Sequence, residues 1–575
     1  MPHLLQSLRL YRRESILAPL FKMLEALFDL TVPLVMADII NRGIAAGDTG
    51  LILRRCGVLI LLAVVGTSCS LTAQYFAARA AVGCSADLRR RLFARVQALD
   101  AAQTDTIGTS TLITRLTSDL NQVQNGVNMF LRLFLRSPFI VFGSLLLSFT
   151  ISRRVGWIFA GIVAVLFCIV FGLMAWTSPL YKKIQTKLDT VLGVTRENLT
   201  GVRVVRAFGQ QQAEAKRFTD ANTDLTRAQT HVGHISALLN PATFLVVNLG
   251  VIAVLSTGAV QVDTGTLLAG DVIALINYLS QILVELVKMA NTIVLISKAT
   301  ACMGRVSAVL DTPAGMPFPA ESGHPADEAP AVSFDHVSLT YPGAGDNSLT
   351  DLSFTARPGQ TIGVIGGTGS GKSSLVRLVA RLYDATAGQI RLCGVPIQNW
   401  AQRDLRRLVG VVPQNAQLFS GSIRSNLLWG NGAATDEALW AALETAQAAD
   451  FVRQLPQGLD APVEQGGRNL SGGQRQRLTL ARALVGQPTI LLLDDCASAL
   501  DYATDAALRK ALAALPGTVT TFIISQRTAS LQQADQILVL EDGTLTGCGT
   551  HAQLLESCPV YQEIYESQFK GGAAV

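Results

Sequence analysis

The sequence predicts a multi-pass α-helical membrane domain of six spans, followed by an α/β phosphate-loop nucleotide-binding domain. Three observations carry that prediction. The composition is 49% hydrophobic and only 15% charged, with a mean hydropathy of +0.36; an average soluble protein is about 25% charged, so the surplus apolar side chains need a bilayer. Apolar windows of about 20 residues, the length that crosses a membrane, are confined to the first part of the chain. The later part instead holds GGTGSGKS at 366–373, which fits the G-x-x-x-x-G-K-[ST] phosphate loop, and then the apolar run 490–493 ending in Asp494 and Asp495. The expected division is a membrane domain at 1–310, a linker at 311–331 and the nucleotide-binding domain at 332–575.

The amino terminus carries Arg9, Arg12 and Arg13 ahead of an apolar stretch, with no small-residue cleavage site at signal-peptide distance. It reads as an interfacial helix leading into a retained span. The six windows are 16–40, 56–78, 134–151, 155–176, 235–260 and 272–296; the first, fifth and sixth contain polar residues but remain long enough to cross. Basic residues orient them. The connection after the second window holds Arg79, Arg89, Arg90, Arg91, Arg95 and Arg115, and the one after the fourth holds Lys182, Lys183, Lys187, Arg196, Arg203, Arg206, Lys216, Arg217 and Arg227, whereas 261–270 has no basic residue. The positive-inside rule therefore places the amino terminus, both long connections and the nucleotide-binding domain in the cytoplasm; Arg42, Arg153 and Arg154 are outnumbered exceptions. Leu88, Leu92, Phe93, Val96 and Leu99 keep helical spacing into the first connection. The spans are thus expected to continue as helices into the cytoplasm, with polar turns within 108–124 and 195–218.

In the sixth window Asn277, Gln281, Glu285, Lys288 and Asn291 recur every three or four residues, on one helical face. Polar groups facing lipid are costly. The stripe is expected either to line a substrate path, with Glu25 and Asp29 as weaker candidates, or to hold helices together through a Glu285–Lys288 pair at i, i+3. The net charge of +5 gives no case for nucleic acid, and the nine cysteines, with no CxxC pair and no nearby His, read as reduced thiols.

Residues 311–331 are rich in Pro, Gly and Ala without periodicity, as linkers are. Alternation then begins (Val332, Phe334, Val337, Leu339, Tyr341), and the apolar run 361–365 leads into the loop Gly366, Gly367, Thr368, Gly369, Ser370, Gly371, Lys372, Ser373, with Ser374 next and a helix from Leu375. Strand, Gly-rich loop and helix in that order is the context in which backbone N–H groups and a helix N-terminus receive phosphates. ATP and Mg²⁺ are the expected cofactors: Lys372 reaches the β and γ phosphates, and Ser373 ligates the metal opposite Asp494.

The block Leu470, Ser471, Gly472, Gly473, Gln474 reads LSGGQ, and with it the chain resembles an exporter-type ABC half-transporter over almost its whole length. That resemblance implies two nucleotide domains paired head to tail, each ATP lying between one chain's phosphate loop and the other chain's signature. It also implies that Tyr341 stacks on adenine and that Gln414 senses Mg²⁺ and the attacking water. By the same resemblance Val463 to Gly467 meets coupling helices, Ser498 to Asp501 crosses the dimer interface, and 108–124 and 195–218 are the coupling segments.

Two positions depart from the family pattern. Asp495 stands where a water-polarising Glu is usual, and Gln526 where a His contacts the γ-phosphate. Asp is one methylene shorter than Glu, and Gln cannot carry the positive charge of an imidazolium. Both changes weaken hydrolysis while leaving Lys372, Ser373 and Asp494 in place. The implied assembly is a heterodimer like the bacterial multidrug exporters, in which this chain holds a slow site and lends an intact signature to a partner half-transporter's fast site. The alternatives are a homodimeric lipid or drug flippase with Asp495 as a slow base, and an ATP-binding membrane regulator or channel.

Overall fold

The computed structural model of this protein describes residues 1–326, 328–496, 500–515 and 519–569. Its backbone contacts separate two compact units, one formed by 1–97 with 110–312 and the other by 98–109 with the chain from Pro313 onward.

The first unit is all helix, because apolar surroundings oblige backbone polar groups to pair within their own segment. Its helices are α1 (Pro2–Arg9), α2 (Arg12–Asp38) and α3 (Thr49–Gln97); α4 (Ala101–Ile107) belongs to the other unit; then follow α5 (Thr109–Thr114), α6 (Leu120–Leu133), α7 (Arg136–Ile151), α8 (Arg153–Thr200), α9 (Val202–Ala207), α10 (Gln211–Ala237), α11 (Leu239–Asp263) and α12 (Ala269–Asp311). At 1.5 Å per residue α3 and α8 are each about 70 Å long, more than twice the roughly 30 Å hydrocarbon layer, so both extend well beyond it, as the helical spacing of the connections requires.

Among the described residues five helical segments are long and apolar enough to cross a membrane: Thr49–Gln97, Thr109–Ile151, Arg153–Thr200, Gln211–Asp263 and Ala269–Asp311. The sixth expected span, α2, has the length at 27 residues but is less apolar, because it carries Lys22, Glu25 and Asp29. Those charges are paired: Lys22 Nζ lies 2.5 Å from Glu25, and Asp29 2.8 Å from Arg136 of α7. Beneath them Leu30, Phe159, Leu166, Val254, Leu275, Leu279 and Ile282 share one core, and Tyr278 Oη donates to the Leu30 carbonyl at 2.6 Å.

The first turn does not fall where the sequence suggested. Its centre is α4, opened by a capping box in which the Asp100 carboxylate accepts from Gln103 N at 2.7 Å and Gln103 Oε1 accepts from Asp100 N at 3.2 Å. Residues 109–124 instead run back as helix through a π-helical stretch, Arg115–Asp119. The D-x-x-Q pattern of a helix start stands at 100–103. The second turn lies within 195–218, where α8 ends at Gly201 and α9 follows.

In the second unit a six-stranded sheet runs, in spatial order, Thr544–Gly549, Gln536–Glu541, Thr361–Gly366, Thr520–Ile524, Ile490–Asp494 and Val409–Val412. All neighbours are parallel except the first pair. A four-stranded antiparallel sheet (Leu349–Ala356, Val332–Leu339, Ala387–Leu392, Val395–Pro396) packs over it through a shared core that includes Val332, Phe354, Leu375, Leu378 and Phe522. The Pro- and Gly-rich stretch after α12 does not hang free. Gly323 N donates to Asn399 O at 2.9 Å, Ser322 Oγ to Asp404 at 2.5 Å, and the buried Arg381 donates to Pro317 O at 3.0 Å with its guanidinium 4.3 Å above the Phe318 ring.

Candidate functional site

The site stands at the carboxyl ends of the parallel strands, where sheets of this kind place ligands. The strand Thr361–Gly366, buried from Ile362 on, runs directly into the phosphate loop. The helix Lys372–Val379 is entered through Gly371 at φ 96°, where a Cβ would lie 2.5 Å from the Leu349 side chain, so glycine is needed on both counts. Lys372 Nζ is folded onto the loop, donating to Gly366 O at 2.9 Å, Gly367 O at 2.6 Å and Ser370 Oγ at 3.3 Å. Burial lowers its pKa, against the pull of Asp494 and Asp495.

Asp494 ends the strand Ile490–Asp494, and Asp495 is the next residue, in the left-handed region at φ 48° with its N–H on Ile524 O at 3.0 Å. Burial raises the pKa of both carboxyls; repulsion from Asp495 adds to the rise at Asp494, while a hydrogen bond with Ser373 opposes it. Gln414 Nε2 reaches Asp495 Oδ2 only at 3.5 Å, the long limit of a hydrogen bond. A cavity of about 720 Å³ is lined by Thr368, Gly369, Ser370, Gly371, Lys372, Ser373, Ser374, Gln414, Asp494, Asp495 and Gln526. A concavity of this size, lined by the Lys372 ammonium and by the Asp494 and Asp495 carboxylates, is built to take a polyphosphate and a hard cation. The oxygen donors Ser373, Asp494 and Gln414 suit Mg²⁺, a hard cation bound through one or two carboxylates, here Asp494, together with other oxygen donors and substrate phosphates.

Other expected residues lie off this cavity. Tyr341 is half-buried; its hydroxyl donates to Ser374 Oγ at 2.9 Å and accepts from Arg377 at 3.2 Å. Its ring meets Tyr383 edge-on at 4.9 Å, and Tyr383 in turn donates to Asp105 of α4 at 2.6 Å. Burial and the Asp105 carboxylate push the Tyr383 phenol up to about 12. Leu470, Ser471, Gly472, Gly473 and Gln474 also lie outside the cavity lining. Ser471 and Gln474 form a capping box that opens the helix Gly472–Val485, with Ser471 and Gly472 exposed. Asp501 caps the helix Tyr502–Ala513 through Thr504 N at 2.8 Å; Ser498 and Ala499 are outside the described residues.

One contributor was invisible in the sequence. Gln568, an exposed residue of the last helix, Pro559–Phe569, donates to Gln526 O at 2.7 Å and accepts from Thr528 N and Thr528 Oγ1, both at 2.9 Å. It fixes the segment that presents Gln526, and a single exposed Gln carries no pattern that would reveal this.

A nucleotide site of this form joined to a helical membrane unit defines an ATP-driven membrane transporter. Residues 15–286 match the ABC transporter transmembrane region, and residues 349–498 match the ABC transporter family. An uncharacterized ABC transporter ATP-binding protein of Mycobacterium tuberculosis is 36% identical over 567 residues, covering 98% of this chain and 97% of its own length. A fatty acid ABC transporter ATP-binding/permease protein of Mycobacterium bovis is 32% identical over 457 residues, 79% of this chain and 71% of its own. The structure of a bacterial Atm1-family ABC exporter with ATP bound superimposes with a TM-score of 0.80 at 25% identity, covering 97% of this chain and 98% of that one. The chain belongs to the ABC transporter family; it is a multi-pass membrane protein with an exporter fold and an ATPase domain.

Proposed function

We propose that this chain is one half of a heterodimeric exporter of a small molecule, drug or lipid, that its own nucleotide site holds ATP·Mg²⁺ and hydrolyses it slowly, and that its LSGGQ segment completes a faster site on a partner half-transporter. The observation that carries this is the pairing of Asp495 and Gln526 in one cavity beside an intact Lys372, Ser373 and Asp494. The Asp495 carboxylate, one methylene short of Glu, meets Gln414 only at 3.5 Å, and Gln526 offers a hydrogen bond without positive charge. Binding groups are therefore complete where hydrolytic groups are weakened. The capped, exposed signature supports its use by another chain. Ser373, Asp494 and Gln414 are the residues that would hold Mg²⁺, which neutralises phosphate charge during transfer.

Affinity purification of the full chain from its native membrane tests the assembly. A stoichiometric second half-transporter carrying Glu and His at the two altered positions is the expected result. Recovery of this chain alone overturns the heterodimer and leaves a homodimer with two slow sites.

A further inference from the structure

The membrane unit contains a second cavity, of about 460 Å³, between α2, α7 and α12. Four of its lining side chains are charged: Asp29, Arg136, Glu285 and Lys288. Arg136 joins Glu285 at 2.6 Å and Asp29 at 2.8 Å; Glu285 also accepts from Ser137 at 2.7 Å and from Lys288 at 3.0 Å. These four charges sum to zero. Behind them Lys22 and Glu25 form a further neutral pair, with Glu25 3.9 Å from Arg136. Arg132, a turn before Arg136 on α6, is not part of the lining.

Arg136 and Glu285 are 11% and 4% exposed and engaged with each other, whereas Asp29 and Lys288 are 44% and 46% exposed, so one carboxylate and one ammonium open into the space. Asn277 and Gln281 add amides, and Gln281 Oε1 is buried with no hydrogen-bond partner, an acceptor left over inside the wall. Apart from Ser280, the remaining wall is apolar: Val32, Pro33, Met36, Ile140 and Val284. Glu285 lies 16 residues into α12 from Ala269, about 24 Å along the axis, within the hydrocarbon depth of about 30 Å.

We infer that this cavity binds the polar end of a net-neutral, zwitterionic amphiphile, with its cationic group toward Asp29, its anionic group toward Lys288 and its tail along the apolar wall. The physical reason is charge balance at low dielectric. A cluster that already sums to zero gives a singly charged guest no uncompensated partner, and that guest loses hydration in entering. A zwitterion instead pairs at both ends. This inference rests on the transporter reading above for its biological meaning and names the cargo class; its test is a binding measurement that needs no ATP.

The probes are three single-chain amphiphiles with one tail length: a lysophosphatidylcholine, a lysophosphatidylglycerol and an alkyltrimethylammonium. Each is titrated, without nucleotide, against the full chain in a neutral maltoside detergent, reading the shift in unfolding temperature. The lysophosphatidylcholine is expected to act at about tenfold lower concentration than either charged probe. Asn277 is exposed on the lining and makes none of the ion pairs, so N277K and N277D each add one charge without breaking the cluster. N277K is expected to shift preference about tenfold toward the anionic probe, and N277D toward the cationic one. D29N and K288Q are expected to move preference in the same two directions, anionic and cationic respectively, and ATP binding by each variant checks that it is folded. A wild-type preference for a charged probe, or variants with unaltered preference, overturns the inference, and either result leaves ATP-driven transport untouched.

Discussion

Replacing Asp495 by Glu is expected to accelerate hydrolysis at this chain's own site about a hundredfold. The added methylene moves the carboxylate about 1.5 Å further from the backbone, toward the space that Asp495 now approaches only from the 3.5 Å side of Gln414. A displacement of about 1 Å in a catalytic group is worth about a hundredfold, or about 2.7 kcal/mol of barrier. The backbone there is fixed by the Asp495 N–H on Ile524 O at 3.0 Å and by the left-handed φ of 48°, so the longer side chain extends outward without relocating the strand end. The assay is single-turnover conversion of bound ATP with protein in excess. In a heterodimer the wild-type trace has a fast and a slow phase, and D495E accelerates the slow one; in a homodimer the whole trace is slow and accelerates. Adding Q526H restores a cationic donor and increases the rate further. A wild-type trace with one fast phase that D495N abolishes would refute the reasoning, because Asp495 would then be a fully competent base.

Removing the Gln568 clasp with Q568A deletes three hydrogen bonds to the Gln526–Thr528 segment, each worth about 1 kcal/mol; several-fold slower single turnover with unchanged ATP affinity is expected, and Q568E, which keeps the acceptor for Thr528, should recover part of the rate. Arg381 is 1% exposed and paired with Asp384 at 3.0 Å, so R381A is expected to lose about 3 kcal/mol and lower the unfolding temperature by roughly 10 °C, read by calorimetry. The Asp495 carboxyl has a folded pKa raised above 3.8: the folded protein holds that proton more tightly, so the penalty is absent below the unfolded value, grows as pH rises through it and is complete above the raised value. In Mg²⁺-free solution D495N should therefore unfold at a higher temperature than wild type at pH 7, with the difference fading toward pH 4, and equal unfolding temperatures at pH 7 would contradict it.

Much of this was legible in the residues themselves. The phosphate loop is a local device, since strand, glycines, lysine and helix are contiguous, and 366–373 specified it alone. The apolar windows fixed the helices for the same reason: backbone pairing in lipid is satisfied within each segment. The LSGGQ segment also folds locally, as a capping box between Ser471 and Gln474. The Asp100–Gln103 cap is likewise a short-range signal, whereas the bonds that tie Pro317, Ser322 and Gly323 to residues further along the chain leave no mark in the composition of 311–331.

Tertiary structure alone decided which distant groups meet. No spacing rule joins Gln568 to Gln526, Asp105 to Tyr383, or Arg136 to Glu285, because each pair is brought together by packing between segments far apart in the chain. The sequence by itself determined a phosphate loop, the signature segment, the positions of Asp495 and Gln526, and a polar stripe at helical spacing. Only the fold decided that the stripe's Glu285 closes on Arg136 and leaves a cavity whose charges cancel, since charge balance is a sum over neighbours in space.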